Sequence, residues 1–279
     1  MPFPIGRFPF QVLRPRSPGA VLLALACFSQ VLAGETDPWS AALNLDYNQA
    51  ASLLARQHAG RPEDPRLGTA YAASLLVREP TTAANVALAR TTLETVLASL
   101  APDDSEHRPL ALYLLGRIAH DHQDPPRLDD AVARYEQLRR EHPGHALADQ
   151  AAVHLGFIRA LQLPPPEFQT AVAQVGALLA AVATPAARRE LHHLLAHLHW
   201  HGRGDAAAAL PHYLAGREIG FEAPYRNGEI DLTIAGLARE LGRDDLAARH
   251  YRAFAEANPR DGRAQTARRL AAEAAARLP

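Results

Sequence analysis

The sequence predicts an all-α protein, a solenoid of about six stacked helix hairpins closed by a C-terminal capping helix. Two observations carry that expectation. Hydrophobic residues make up 48% of the 279 but aromatics only 6%. The apolar content is therefore chiefly Ala and Leu, which lose little freedom in a helix, while strand-favouring types are scarce. A pattern of Ala, a large residue four on, another three further and a helix stop five after that also recurs with a period near forty, the signature of a repeat array.

The chain opens on an address. Residues 1–19 carry Arg7, Arg14 and Arg16, five prolines and no acid, and an apolar run follows from Ala20 to Phe28, extending to Ala33. A basic start, a short apolar core and small residues at Ala33-Gly34 form the layout of a secretory signal peptide, predicted over 1–33 with Val31-Leu32-Ala33 at the cleavage site. The run falls short of the roughly 20 apolar residues that span a bilayer, so no transmembrane helix is expected after its removal. Ala24-Leu25-Ala26-Cys27 is similar to a bacterial lipoprotein box, which would make Cys27 a lipidated N-terminus. The alternative is a small apolar-type residue inside the signal core.

Composition excludes several chemistries. All 29 basic residues are Arg, and Cys27 is the only cysteine. Lysine Schiff bases and the P-loop lysine are ruled out. Without Cys27 the chain has no disulfide and no thiolate metal site. The net charge of −1 lacks the clustered positive charge that nucleic acid requires.

The array itself is expected over 35–262. The template is clearest as Ala131, Tyr135, Leu138, Pro143 and as Ala247, Tyr251, Phe254, Pro259. Weaker copies begin at Ala50, Ala89, Ala171 and Ala209. Positions i, i+4 and i+7 share one helix face, so each copy draws an apolar stripe, and its small Ala admits a neighbouring helix closely. Pro143 and Pro259 stop their helices. Each of these helices follows another, as in Leu112-Leu115-Gly116-Ala119, Leu155-Gly156-Ala160 and Ile234-Ala235-Ala238. The end of the chain, 263–279, reads as a capping helix with Ala264, Ala267, Leu270, Ala274 and Leu278 on one apolar face.

On Leu115-Gly116, Leu155-Gly156 and the Ala-Tyr-Leu-Pro and Ala-Tyr-Phe-Pro series, the sequence resembles the tetratricopeptide repeat family, which implies a right-handed solenoid. The repeats around Gly116 and Gly156 carry about three extra residues each, placed at Asp124-Pro125-Pro126 and Leu163-Pro164-Pro165. The stretch from Tyr135 to Gly156 is similar to repeats of bacterial envelope proteins of that family, such as Tol–Pal-associated and outer-membrane-assembly lipoproteins. Trp200 to Gly220 is similar to the Sel1-like variant.

The resemblance implies a groove lined by the first helix of each repeat, on the side away from Leu115 and Gly116. It would present Tyr113, Arg117 and His120, then Val153 and Phe157, then Leu232 and Arg239 to a partner, Arg and aromatics being types that anchor interfaces. Val153 and Phe157 fit internal packing equally well. The function implied is an exported scaffold that binds a peptide or partner protein in a cell-envelope assembly. It would be periplasmic or secreted or, as an alternative, an outer-membrane lipoprotein, with no cofactor. The rival reading is a metal-binding protein. His192, His193, His197, His199 and His201 crowd one segment, and His193, His197 and His201 at i, i+4 spacing could line one helix face as ligands. Glu190 or Asp205 could complete such a site, but Leu194 stands where a zinc-protease glutamate belongs. The other reading of the cluster is a polar, partly buried helix in a chain with 14 His. Arg203-Gly204-Asp205 reads as a turn between helices, Asp103-Asp104 as a turn and Asp129-Asp130 as first-turn helix acids. No nucleophile–base or paired-carboxylate arrangement has local support, so no enzymatic activity is expected.

Overall fold

A computed structural model describes residues 37–163 and 167–278. The expected signal peptide, Cys27 and the Pro164-Pro165 pair lie outside these residues. Among the described residues there are thirteen α-helices and no strand. In chain order they are α1 (Pro38–Leu43), α2 (Tyr47–Gly60), α3 (Pro65–Val77), α4 (Ala83–Ser99), α5 (Arg108–Asp121), α6 (Leu128–Glu141) and α7 (Ala146–Phe157). They continue as α8 (Phe168–Ala181), α9 (Pro185–Arg203), α10 (Ala206–Ile219), α11 (Pro224–Glu240), α12 (Asp244–Ala257) and α13 (Ala264–Ala275). A π turn, Ile158–Gln162, extends α7. The helices fall into six successive pairs with α13 left over, the all-α hairpin fold that the period predicts.

Local chemistry sets the boundaries. Asp37, Asp46, Asp64 and Thr82 accept backbone N–H bonds at the starts of α1 to α4, satisfying donors that a helix start leaves unpaired. Proline occupies the first turn of α3, α5, α9 and α11, where its missing N–H costs nothing. Pro143 and Pro259 each follow the last residue of a helix by two positions.

The described chain divides into two compact units, one running to Arg134 and one from Tyr135, with the division inside α6. In the first unit each helix from α1 to α4 packs on the next, and α3 also meets α5. Leu54, Leu93, Leu112 and Leu114 are fully enclosed there, each burial contributing roughly 1.5–3 kcal/mol relative to exposure. Gly68 marks the tightest approach, since a Cβ on it would meet Val96 Cγ2 at 2.6 Å and His58 Cε1 at 3.3 Å.

In the second unit α7 packs on both α8 and α9, and each helix from α9 to α12 packs on its successor. Gly156 sits at that three-way contact. A Cβ there would lie 3.1 to 3.5 Å from Leu194, Leu191 and Leu178. Tyr135 stacks on His154, with ring centroids 5.1 Å apart. Buried Asp149 of α7 accepts the N–H groups of Ala183 and Thr184, at 3.0 and 2.6 Å, tying down the turn before α9. Buried Asp231 of α11 holds Arg217 of α10 through two bonds of 2.9 and 3.0 Å and accepts from His250 Nδ1 of α12 at 2.8 Å. One carboxylate thereby joins three helices.

The last helix covers α12 with Ala264, Ala267, Leu270 and Ala274, all buried. Leu278 departs from the expected face. The helix ends at Ala275, and Leu278 is 43% exposed. The end of the chain is held instead by Arg277, whose guanidinium forks onto Asp244 at the start of α12. No helix among the described residues is long and apolar enough to cross a membrane.

Candidate functional site

The first unit contains a cavity of about 1060 Å³. Its walls come from three places. The last turn of α3 gives Leu76 and Val77, and the first half of α4 gives Thr81 to Ala83, Val86, Ala87 and Arg90. The end of α5 and the turn after it give Arg117, Asp121 to Pro125 and Arg127. The turn is tied back to α5 at both ends, His122 N–H donating to Ile118 C=O at 3.2 Å and Arg127 N–H to Ala119 C=O at 2.8 Å.

The polar lining is unevenly paired. Arg117 Nε donates to Asp121, one helical turn on. Arg127 pairs with Asp130 at 2.6 Å. Arg90 makes no ion pair among the described residues, and its Nε is cut off from water without a hydrogen-bond acceptor. The amide oxygen of Gln123 is likewise buried with no donor. His122 is kept neutral, its pKa lowered by burial and then by the neighbouring Arg117 charge. Three cationic and two acidic side chains, Asp121 and Asp124, line the cavity. The N-terminus of α4, capped by Thr82, adds the positive end of its dipole. With Arg117 held by Asp121 and Arg127 by Asp130, Arg90 is left without a counter-ion among the described residues, and it favours an anionic group beside it.

The seven residues expected along a groove are not one exposed stripe. Tyr113, Arg117 and His120 are 2%, 8% and 6% exposed, and Val153 and Phe157 are also buried. Leu232 is half-buried and Arg239 is open to solvent. The helix faces assigned to partner contact therefore serve packing at five of these positions. In α5 the whole stretch from Pro109 to His120 is buried, so a side pointing away from Gly116 still meets protein. Of the seven, only Arg117 lines the cavity.

The histidine reading changes too. His193, His197 and His201 do share α9, but they do not converge. His193 is 4% exposed, with its ring set edge-on to Tyr213 and Phe221 at 5.8 and 5.0 Å. Burial, then the charges of Arg226 and Arg189, lower its pKa to about 3. His197 and His201 lie against each other, centroids 4.5 Å apart. Among the described residues no three His, Cys, Asp or Glu are placed to hold a metal ion. His192 instead meets His212 of α10, Nδ1 to Nδ1 at 3.0 Å.

Arg203-Gly204-Asp205 is used by the fold. Gly204 takes the left-handed conformation (φ 67°) that ends α9, which a residue without Cβ adopts freely. Asp205 caps α10 through Ala208 N–H, and Arg203 lies over the Phe168 ring.

Arg90 and Ala87 lie on a second helix and Gln123 in a turn, outside the first-helix faces that the resemblance implies. The extra residues at Asp124-Pro125-Pro126 were the available signal, and that insertion forms one wall of the cavity.

No family model matches the chain, and no curated protein does. Solved structures do match. The crystal structure of the APC/C hetero-tetramer Cut9-Hcn1 aligns with a TM-score of 0.50 at 14% identity. The alignment covers 94% of this chain and 44% of that one, so the chain spans less than half the length of the protein it matches. At that identity the likeness is one of fold. The chain has a tetratricopeptide-type helical repeat fold.

Proposed function

We propose that the protein is a non-catalytic scaffold that docks a peptide segment of a partner protein in the cavity between α3, α4 and α5. The observation that carries this reading is the cavity itself, an open space with an uncompensated arginine on its wall, in a fold whose architecture is suited to protein–protein interaction. Stacked helix pairs present side chains from several repeats to one ligand, so recognition needs no moving part. Export to the cell envelope is part of the proposal. It rests on the basic, then apolar, then small-residue order of residues 1–33, and a lipid anchor at Cys27 is its variant form.

A photo-crosslinking amino acid placed at Ala87 tests the docking site in the native host. Ala87 is exposed and on the cavity wall. A discrete partner adduct is expected at position 87 and not at exposed Arg56 on α2, with loss of the adduct when unlabelled mature chain is added in excess. Equal labelling at both positions would sink the assignment. Signal cleavage is read separately, by N-terminal sequencing of the protein recovered from the periplasm and by its partitioning into detergent in wild type and Cys27→Ser.

A further inference from the structure

The chemistry of the cavity narrows what the partner must bring. We infer that it selects an extended peptide segment carrying an internal acidic side chain, with that carboxylate taken by Arg90. The inference rests on the docking role proposed for the cavity and adds the identity of the anchoring group.

Arg90 sits on α4 one residue after Ala89, which is fully buried. The core-facing alanine fixes the helix, so the guanidinium stem leaves it from a set position beside the cavity. The side chain is half-buried, its Nε is closed off from water and from every protein acceptor, and the remaining guanidinium donors have no carboxylate partner among the described residues. Its two neighbouring arginines differ in this respect, Arg117 being held by Asp121 and Arg127 by Asp130. An arginine left partly desolvated without a counter-ion gains most from an incoming carboxylate, because its planar fork binds one through two parallel bonds.

Two features favour a peptide over a free anion. The volume of about 1060 Å³ slightly exceeds the roughly 300–1,000 Å³ typical of small-molecule pockets and is far larger than one carboxylate or phosphate fills. The apolar floor of Leu76, Val77, Val86 and Ala87 suits a side chain next to the acid. Asp124 at the rim disfavours a second acid on that side, so a single acid flanked by apolar residues is the preferred ligand rather than an acidic run.

The test uses pools of fluorescent, C-amidated dodecapeptides, randomised except for a fixed central Glu, Gln, Lys or Leu, titrated onto the purified chain by polarisation. The Glu pool is expected to bind about tenfold more tightly than the Gln pool. Arg90→Gln should erase that ratio, while Arg56→Gln on α2 leaves it intact. Ala87→Trp, an exposed position that tolerates bulk, should weaken every pool, and circular dichroism confirms that each variant keeps its helices. Equal binding of the Glu and Gln pools, both weakened by Ala87→Trp, would overturn the acid preference and leave the docking site standing. Indifference of every pool to Ala87→Trp would overturn both. Tighter binding of a Leu pool made with a free C-terminal carboxylate than of the amidated Glu pool, or loss of the Glu preference in millimolar inorganic phosphate at constant ionic strength, would also overturn the internal-acid assignment.

Discussion

Replacing His193 with Leu tests how the second unit responds to acid. The ring of His193 is enclosed by Tyr213, Phe221 and the backbone of α10, and its Nε2 has no hydrogen-bond partner. Burial and the Arg226 and Arg189 charges bring its pKa from 6.5 to about 3. The unfolded chain therefore takes up this proton first as pH falls. Stability present above about 6.5 is lost progressively towards the folded value. Because about 3 lies well below 5, the loss between pH 7.5 and pH 5 is set by the unfolded ring alone and amounts to about 2 kcal/mol. Urea unfolding of wild type and His193→Leu at both pH values isolates this contribution, since the other histidines are common to both chains. The wild type should lose about 2 kcal/mol more than the variant over that interval. A ring that titrates near 6.5 by NMR, or parallel losses in the two proteins, would refute the burial argument.

Three further outcomes follow from the packing. Asp231→Ala should cost about 3 kcal/mol, because it strands Arg217 and His250 at once, with the cost moderated by the 32% exposure of Arg217. Burial raises the Asp231 pKa, but hydrogen bonds from His250 and Arg217 outweigh it and hold the group below 3.8. The difference between wild type and variant should therefore persist above pH 3.8 and shrink only below it, as denaturation at pH 7 and pH 3 would show. Gly216→Ala should destabilise by roughly 1–3 kcal/mol, since its Cβ would fall 2.4 Å from His193 Cδ2. A gain of about 1 kcal/mol, as helix propensity alone gives, would contradict the close contact. Asp149→Ala leaves the Ala183 and Thr184 N–H groups without an acceptor, at a cost of about 2–3 kcal/mol. Asp149→Asn, which keeps an oxygen in reach, should lose less in the same melts.

The core stripes were legible because they depend only on helical spacing. Ala131, Tyr135 and Leu138, and Ala247, Tyr251 and Phe254, are all buried where the i, i+4, i+7 rule puts them. Helix ends at Glu141 and Ala257 follow from the prolines two residues on. The binding surface was not legible in the same way. Which side of a first helix meets solvent depends on what packs against it from other repeats, and periodicity within one helix carries no record of that. Tyr113 and Phe157 show the consequence, as residues of interface type spent on packing. The histidine run failed for a related reason. Spacing of four places rings on one helix face, but α10 arrives with Tyr213 and Phe221 and claims His193 alone.

The turn from His122 to Arg127 separates two jobs that most folded segments combine. Its side chains wall the cavity, while its backbone is anchored to α5 only at its two ends, through His122 to Ile118 and Arg127 to Ala119. None of its residues is buried, so none belongs to the buried stripe of a helix. On the docking role proposed for the cavity, partner choice can drift by editing a short connector, while the helix pairs behind it stay under the stricter control of close packing.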